Sequence, residues 1–403
     1  MRVLQINVSA NNGSTGSIAR DIGKLVLASG GESYIAYGRE SLPLDSVLLR
    51  VGRDIDVWMH GLETRFLDNH GLSSRRATNL FIDKIKEIKP DIVHLHNIHG
   101  YYINYRLLFK YLTDNKIPVV WTLHDCWSFT GHCAHFVTVG CEKWKSGCFN
   151  CPLKNTYPKS LLFDASSRNY RLKKQVFGSV DNLTLVPVSG WLQDLLKVSF
   201  LGDKRIKVIR NGIDLNIFKP YACKKEELGL DPNKYTVLGV ANRWTAEKGL
   251  NELVMLSQCS RYQVVMIGVD DGVRKKLPTG IYAIARTESQ EVLAKYYSVA
   301  DVFVNPTYAD TYPTVNLEAL ACGTPVITYA TGGSPETVDL HTGLVVEKGN
   351  TDAMLAAVEE LAGEDHQVAM SRRSACRKRA LEHFDRHMRF TDYINLYREI
   401  LNK

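Results

Sequence analysis

Between residues 310 and 326 the chain reads Asp310-Thr-Tyr-Pro313-Thr-Val-Asn-Leu-Glu318-Ala-Leu-Ala-Cys-Gly323-Thr-Pro325-Val326. The apolar run at 302–305 just before it predicts a buried strand. Pro313 suits the first turn of a helix, because that position needs no backbone N–H, and Gly323 is a typical residue for the helix end. The segment therefore predicts a strand, a loop and a helix in succession, which is the repeating unit of an α/β fold.

The same segment places two carboxylates beside the start of the predicted helix. Asp310 falls on the loop before the helix, and Glu318 projects from the helix itself. The backbone amides of Thr314 and Val315 lie in the first turn, where no intrahelical carbonyl can accept from them, so this end of the helix favours an anion. Binding a nucleotide-sugar requires carboxylates that accept from its hydroxyls and a site for its phosphates. This segment offers both.

Outward from this segment, short apolar runs alternate with helical segments along the whole chain. Continuous apolar strands separated by helices indicate parallel sheets covered on both faces. A first set of candidate strands is 3–8, 33–37, 92–95, 119–123 and 184–188, and a second is 236–240, 263–267, 281–284, 302–305 and 325–329. At 403 residues the chain is long enough for two cores. We expect two Rossmann-like domains that meet near Asn211-Gly212.

The segment at 310–326 resembles the acidic-x7-Glu signature of the retaining GT-B glycosyltransferases of the group 4 family, in which the first acid is usually Glu rather than Asp. Three other segments resemble family motifs in the expected order: Asn211-Gly212 with Asp214 as the interdomain hinge, Arg243-x4-Lys248-Gly249 as the donor-diphosphate grip, and Thr331-Gly-Gly-Ser-Pro335-Glu336 as a glycine turn. The run His-Asp-Cys-Trp-Ser-Phe-Thr-Gly-His-Cys, at 124–133, resembles enzymes of capsular, O-antigen and colanic-acid pathways.

The resemblance implies a GT-B architecture, with two Rossmann-like domains whose parallel sheets face a central cleft. It assigns residues 1–210 to an acceptor-side domain and 211–385 to a domain that binds the nucleotide-sugar donor. The apolar positions in the tail recur at helical spacing, and by resemblance this last helix, 386–403, crosses back to the N-terminal domain.

The implied activity is retaining transfer of a sugar from a nucleotide-diphosphate-sugar, with UDP or GDP as the nucleotide, to a glycan or lipid-linked acceptor in bacterial surface polysaccharide synthesis. Arg243 and Lys248 suit the two phosphates of the leaving diphosphate, and such charges make a catalytic metal unnecessary. Nothing in the sequence identifies a carboxylate nucleophile, so the family resemblance favours front-face attack. On this mechanism Asp310 is expected to hydrogen-bond hydroxyls of the sugar, and Glu318 is expected to hydrogen-bond the ribose.

The N-terminal half supplies further candidates at the ends of its strands. Gly13 and Gly16 follow the first strand, where glycines let backbone amides approach a phosphate or a sugar closely. His96 and His124 follow two later strands, and ligands of open parallel sheets bind beyond such strand ends. The resemblance implies that the glycine loop and His124 lie near the donor and the reaction centre, and that His96 contacts the acceptor.

Bulk properties narrow the compartment and the partners. The formal net charge of +7 fits attraction to an anionic substrate or lipid, or ordinary solubilising charge. No apolar run reaches the length of a membrane span, and the N-terminus lacks a signal-peptide pattern, so we expect a cytoplasmic protein with no nucleic-acid partner. The basic and apolar stretch at 168–177 suits either an interfacial helix at the inner membrane or a helix with one buried face.

Cysteines cluster in one insertion. Cys133, Cys141, Cys148 and Cys151 fall within 19 residues, with a Cys-x2-Cys-Pro end, and a cytosolic chain does not keep structural disulfides. A structural zinc site and a set of reduced, half-buried thiols are the alternatives, because the first pair is spaced more widely than in common zinc sites.

Two other functions remain open. A nucleotide-sugar 2-epimerase has the same architecture, although the acidic-x7-Glu signature matches transferases. A non-catalytic subunit that binds a sugar nucleotide is the second alternative, motivated by the Asp at position 310.

Overall fold

The computed structural model describes residues 1–402, which form two compact units. The first contains Met1–Arg210 together with the residues from Phe390 onward, and the second is Asn211–Arg389.

The first unit is built on a parallel sheet covered by helices. Its strands are β1 (Arg2–Asn7), β2 (Glu32–Tyr37), β3 (Val47–Arg50), β4 (Ile92–Leu95), β5 (Val119–Leu123), β6 (Leu183–Pro187) and β7 (Arg205–Ile206). They pair in the order β3-β2-β1-β4-β5-β6-β7, always in parallel. Its helices are α1 (Gly13–Ala28), α2 (Asp54–Leu67), α3 (Arg75–Ile88), α4 (Tyr105–Asp114), α5 (Ser166–Gly178) and α6 (Gly190–Lys197).

The second unit repeats the plan. Its strands are β8 (Tyr235–Val240), β9 (Tyr262–Ile267), β10 (Ile281–Ile284), β11 (Val302–Asn305), β12 (Val326–Tyr329) and β13 (Gly343–Val346). They pair in the order β10-β9-β8-β11-β12-β13, again all parallel. The helices are α7 (Leu250–Leu256), α8 (Asp271–Arg274), α9 (Gln290–Val299), α10 (Thr314–Ala321), α11 (Thr351–Ala362) and α12 (His366–His383), and α13 (Arg386–Leu401) follows. Two Rossmann-like α/β units, as predicted, make up the protein.

All ten predicted strands are present within a residue at either end, but β3, β7 and β13 were not predicted. Each of the three lies at an edge of its sheet. Edge strands are not buried on both faces, and β3 and β7 are half-exposed or exposed throughout. They therefore lack the continuous apolar run that marks a central parallel strand.

The last helix, α13, packs on the first unit, which confirms the predicted return of the chain. Its apolar side chains share a core with strands β1, β4, β5 and β6; those buried there are Phe390, Tyr393, Ile394, Leu396 and Tyr397. Two hydroxyls add polar contacts inside this core: the hydroxyl of Tyr397 lies 2.6 Å from Nδ1 of His94, and that of Tyr393 accepts from Thr122 at 3.0 Å.

The basic and apolar stretch at 168–177 lies in α5. Tyr170 and Phe177 are buried in the first unit, and so is the ammonium-bearing side chain of Lys173. The apolar side chains of α5 therefore complete the core of the unit. Among the described residues, no helix combines the length and the hydropathy that crossing a bilayer takes.

Candidate functional site

In the second unit, the signature segment forms the strand, loop and helix that the sequence predicts. Strand β11 ends at Asn305, the chain crosses a loop, and α10 begins at Thr314 directly after Pro313. Gly323 follows the helix with a φ of +80°, the left-handed conformation that glycine adopts without strain. The side-chain amide of Asn305 donates to Oδ1 of Asn316 at 2.8 Å. This bond holds the start of α10 against the end of the preceding strand, β11.

Three separated motifs converge on Asp310. Nζ of Lys248, from the loop after β8, lies 3.0 Å from Oδ2 of Asp310. The glycine turn after β12 packs against the backbone of the same residue: Gly333 N–H donates to the Asp310 carbonyl at 3.3 Å. A Cβ at Gly332 would lie only 1.8 Å from that carbonyl oxygen, so the close approach requires glycine. The acidic signature, the Arg-x4-Lys-Gly motif and the glycine turn thus form one cluster.

Glu318 lies on α10, about one turn beyond the helix start, and is partly exposed. The hydroxyl of Tyr297, on α9, donates to its Oε2 at 3.0 Å. Burial raises the pKa of the Glu318 carboxyl to about 7, in spite of that hydrogen bond. Near pH 7 the group is therefore divided between the neutral acid and the carboxylate, and only the carboxylate can accept from two ligand hydroxyls.

Arg243 does not join this cluster. Its side chain is 79% exposed, and its Nε lies 3.8 Å from the Asp270 carboxylate. It lines a cavity of about 600 Å³ together with Trp244 and Lys276, and neither Lys248 nor Asp310 belongs to that lining. A contact from Arg243 to the same ligand as Lys248 requires the exposed guanidinium to rotate.

In the first unit, His96 and His124 contact each other, and the hydrogen-bond network fixes their tautomers. The Gln5 amide donates to the Ala19 carbonyl at 2.8 Å, so its oxygen must accept from Nε2 of His96, 3.1 Å away. Nδ1 of His96 then accepts from Nε2 of His124 at 3.3 Å, which leaves Nδ1 of His124 as a free acceptor. Burial lowers the pKa of His124 to about 4, so the partly exposed ring is neutral at pH 7.

His94 has a different environment from the other histidines. It lies inside β4, is fully buried, and contacts Tyr397 of α13 and the hydroxyl of Thr122. The ring of His94 therefore belongs to the contact with α13 and does not face a ligand site.

The glycine loop after β1 leads directly into α1. Gly13 is the first residue of α1. It has a φ of +67°, and a Cβ at this position would have open space around it. Gly16 is buried, and a Cβ there would lie 3.0 Å from Oγ of Ser9 and 3.2 Å from the amide nitrogen of Asn11. Only Gly13 therefore leaves room for a ligand at the helix start, whereas Gly16 allows the loop to pack on α1.

A large open cavity of about 780 Å³ lies in the first unit, outside the predicted site residues. Arg39, Arg65 and Lys159 line it together with Trp58 and Tyr101. No carboxylate within residues 1–402 pairs with any of the three basic side chains, and the Arg39 guanidinium lies 5.6 Å from the centre of the Tyr101 ring. Glu40 and Asp54 also line the cavity, but Asp54 pairs with Arg50, so basic side chains remain in excess beside the aromatic faces, a combination that suits an anionic carbohydrate.

Two family models match the chain, one described as Glycosyltransferase Family 4 over residues 27–217 and one described as Glycosyl transferases group 1 over residues 237–364. The chain therefore belongs to the glycosyltransferases that these two models describe. It is 25% identical over 366 residues to an Escherichia coli protein named putative colanic acid biosynthesis glycosyl transferase WcaC, covering 86% of this chain and 88% of that one. It is also 29% identical over 205 residues to a D-inositol 3-phosphate glycosyltransferase of Mycobacteroides abscessus, covering 47% of this chain and 46% of the relative.

Solved glycosyltransferase structures share the fold. Sucrose-phosphate synthase from Thermosynechococcus elongatus superposes with a TM-score of 0.75 at 18% identity, over 99% of each chain. Anabaena HepE in complex with UDP gives a TM-score of 0.68 at 15% identity, over 99% of this chain and 100% of that one. These likenesses, at low identity, establish the GT-B fold of the glycosyltransferase.

The structure adds polar groups that sequence analysis missed. In the glycosyltransferase's second unit, three buried hydroxyls near Asp310 have no partner among the described residues: those of Thr311, Thr331 and Ser334. The sequence predicted the glycine turn that contains Thr331 and Ser334, but it did not predict that their hydroxyls are unpaired. Buried hydroxyls that stay unpaired within a protein are available to a ligand.

The first unit adds a pair of buried ionisable groups. Nε2 of His99 lies 2.9 Å from Oδ2 of Asp125, and the hydroxyl of Tyr157 lies 2.9 Å from Nδ1 of the same ring. Burial opposes ionisation of Asp125, but the charge and hydrogen bond of His99 together hold the pKa of that carboxyl well below its usual range. His99 and Asp125 are close in sequence to His96 and His124, and this proximity was the one sequence feature that could have predicted the pair.

The four clustered cysteines, Cys133, Cys141, Cys148 and Cys151, line one small cavity in the first unit. None of the nine cysteines of the glycosyltransferase, all within residues 1–402, forms a disulfide.

Proposed function

We propose that this glycosyltransferase moves a sugar from a UDP-sugar, with retention of anomeric configuration, to a lipid-linked acceptor in bacterial surface polysaccharide synthesis. The observation that carries the proposal is the cluster of Lys248, Asp310 and the Gly332 turn beside the start of α10. The name of the colanic acid relative supports the pathway class, and the UDP complex of the structurally similar Anabaena protein supports UDP over GDP.

Each group of the cluster suits one part of the donor. The Lys248 ammonium and the first-turn amides of Thr314 and Val315 suit the diphosphate, because both present positive charge at one place. Glu318, farther along α10, suits the ribose hydroxyls. Asp310 suits the hydroxyls of the transferred sugar, and the three unpaired hydroxyls near it provide further partners.

The reaction is best drawn as front-face attack. The bond from the anomeric carbon to the diphosphate oxygen breaks, and the acceptor oxygen bonds to the same face of that carbon. The leaving phosphate oxygen takes the acceptor proton, so no protein base is needed. Negative charge grows on the diphosphate as it leaves, and Lys248 together with the amides at the start of α10 offsets it. Arg243 joins them once its exposed side chain turns from Asp270.

Asp310 is a poor nucleophile in this arrangement. One of its carboxylate oxygens contacts Lys248, and the other accepts from the Tyr312 amide at 3.3 Å. Both interactions hold the charge on the carboxylate and restrict its rotation. The role of Asp310 is therefore to orient the sugar and to stabilise positive charge that develops on its ring.

In the first unit, His124 is a neutral acceptor. Its Nε2 donates to His96, so Nδ1 can accept one hydroxyl proton from a bound sugar, and His96 orients the ring rather than touching the acceptor. Its fixed tautomer suits a hydrogen bond from a sugar hydroxyl, the role that the family resemblance implies for this histidine.

The large cavity of the first unit suits the acceptor. Its three unpaired bases favour an acceptor with an anionic group, such as the phosphates of a lipid-linked sugar. Helix α2 lines the same cavity and carries an apolar stripe at helical spacing; its members are Ile55, Trp58, Met59, Leu62 and Phe66. Four of the five are exposed, Trp58 by 60%. An exposed apolar stripe beside basic side chains is typical of a surface that lies on a membrane.

The test begins with binding of the free nucleotides UDP, GDP and ADP, measured by thermal shift, with UDP expected to raise the melting temperature most. UDP-sugars are then incubated with lipid-diphosphate sugars, and NMR of the product determines the anomeric configuration. A retained linkage supports the proposal and an inverted one overturns it. Donor incubated without any acceptor is the control, because an epimerase converts the donor alone.

A further inference from the structure

The cysteine insertion is an ordered segment with little regular structure. Between the end of β5 at Leu123 and the start of α5 at Ser166, only two short 3-10 turns occur, Trp127–Phe129 and Lys143–Lys145. Connections of this length without helices or strands are uncommon in compact domains unless something else holds them. The segment does have an aromatic core, in which Phe136 and Trp144 stack with ring centres 4.9 Å apart.

The four cysteines face one small space beside this core. Cys133, Cys141, Cys148 and Cys151 all line a cavity whose free volume is about 10 Å³, near the minimum for a single water. The thiols of Cys133 and Cys151 lie close enough to interact with each other. The cavity therefore fits a single ion rather than an organic ligand.

The Cys148-x2-Cys151 turn has the local geometry of a metal-binding knuckle. Asn150, between the two cysteines, has a φ of +45°, which tightens the turn. Nζ of Lys143 donates to the carbonyls of Phe149 and Asn150, at 3.1 Å each. Gly131 N–H donates to Sγ of Cys148 at 3.2 Å, a contact that stabilises sulfur as a thiolate. Both sulfurs of the turn are thus presented to the same cavity.

A buried histidine beside the thiols independently points to a ligand. His132 lines the same cavity, its Nδ1 lies 2.7 Å from Oδ1 of Asp68, and both side chains are completely buried. Its Nε2 is buried and has no partner among residues 1–402. A buried polar atom without a protein partner indicates a bound ion or water that the protein atoms alone do not supply.

A buried cation balances the charge that metal-bound thiolates bring. Lys173 is fully buried, donates to the carbonyls of Trp127 and Thr130, lies 3.5 Å from the centre of the Trp127 ring, and interacts electrostatically with Cys148, Cys133, Asp125 and Asp68. An ammonium is costly to bury without nearby negative charge. Zn²⁺ with four thiolate ligands carries net negative charge, so the site and Lys173 stabilise each other.

We propose that Cys133, Cys141, Cys148 and Cys151 bind one Zn²⁺, with the His132–Asp68 pair packed against the thiolates, and that the ion holds the segment at 131–160 in place. Residues 155–159 of that segment form one wall of the large cavity that we assign to the acceptor. The metal is thus structural and supports the acceptor side of the glycosyltransferase.

The competing arrangement of ligands is Asp68 with His70 and His132. Within residues 1–402 this is the only group in which three metal-binding atoms all lie within 4.8 Å of one another. Most of its atoms already have protein partners: Nδ1 of His70 accepts from the Trp127 indole at 2.8 Å, and Nδ1 of His132 lies 2.7 Å from Oδ1 of Asp68. In a tetrahedral site with Zn–S bonds of about 2.3 Å, the sulfur atoms are about 3.8 Å apart. The four sulfurs must therefore approach one another to this distance when the ion binds.

The experiment measures zinc in the full-length protein, expressed without a polyhistidine tag in zinc-supplemented medium. We expect about one zinc per chain by mass spectrometry in the wild type and in the control Cys259→Ser, a partly exposed cysteine of the second unit. We expect less than about a tenth of that in the double variant Cys148→Ser/Cys151→Ser, since a tetrahedral site does not survive the loss of two ligands. His132→Gln is expected to keep its zinc, and loss of the metal from that variant overturns the four-cysteine ligand set.

A second measurement covers the case in which the double variant does not fold. Wild-type protein loaded with Co²⁺ should show the strong near-ultraviolet absorption of thiolate-to-cobalt charge transfer, and a mercurial reagent that modifies the thiols should release the metal. Zinc-free wild-type protein that is fully folded, or a cobalt spectrum without thiolate bands, overturns the proposal.

Discussion

Replacing Asp310 by Asn separates a role in binding the sugar from a role in folding. The substitution keeps the shape of the side chain and removes its charge. If Asp310 accepts hydrogen bonds from hydroxyls of the donor sugar, its loss should cost about 2–4 kcal/mol in the transition state. At about 1.4 kcal/mol per tenfold change, kcat/KM should fall by roughly 30- to 700-fold.

The structural cost of the same change should be small. The contact of Asp310 with Lys248 spans 3.0 Å, but the two side chains are 25% and 40% exposed, and pairs of this kind contribute about 0–1 kcal/mol. Asp310 does not cap α10, because its Oδ1 accepts from Tyr312, two residues away, at a long 3.3 Å. A loss of about 1 kcal/mol lowers the melting temperature of a unit this size by about 2–4 °C.

The assay compares UDP affinity by calorimetry with steady-state transfer of the sugar. Binding of free UDP should not weaken in Asp310→Asn, since the substitution removes a negative charge beside Lys248. Asp310→Glu restores the carboxylate and should recover much of the transfer. The matched control is Asp365→Asn, which makes the same change at an exposed helix cap of the second unit and should transfer sugar normally. Normal transfer by Asp310→Asn, with only a lower melting temperature, would refute the reasoning.

Three other substitutions test the remaining parts of the site. Because the pKa of Glu318 is raised to about 7, the folded protein binds this proton more tightly than the unfolded chain, and stability should fall as pH rises from about 4.5 to 7. UDP binding, which needs the carboxylate, should strengthen over pH 6–8, and Glu318→Gln should abolish that trend in titrations. Lys248→Ala should lower kcat by roughly 30-fold or more, checked in single-turnover assays, and a change below twofold argues against diphosphate contact. Trp58→Ser should reduce flotation with anionic vesicles, while Leu340→Ser, at an equally apolar site that is 85% exposed, should not.

The sequence alone determined the fold and the donor motifs. Parallel strands buried on both faces leave continuous apolar runs, so both sheets could be located from the chain, except for edge strands such as β3. The position of α10 followed from Pro313 and Gly323, because proline and glycine restrict the backbone through local sterics. The family motifs likewise required only spacing along the chain.

Which side chains meet depends on the three-dimensional packing of the chain. The contact between Lys248 and Asp310 joins residues 62 positions apart, and no periodicity encodes such a pairing. The histidines illustrate the same limit: His94 and His96 are two residues apart on one strand, yet one contacts α13 and the other orients His124. The large cavity of the first unit and the exposed stripe of α2 could not be predicted from the sequence, because an amphipathic helix has the same pattern whether its apolar face is buried or exposed. Long-range packing decides that difference, since it fixes which surface each helix turns to the core.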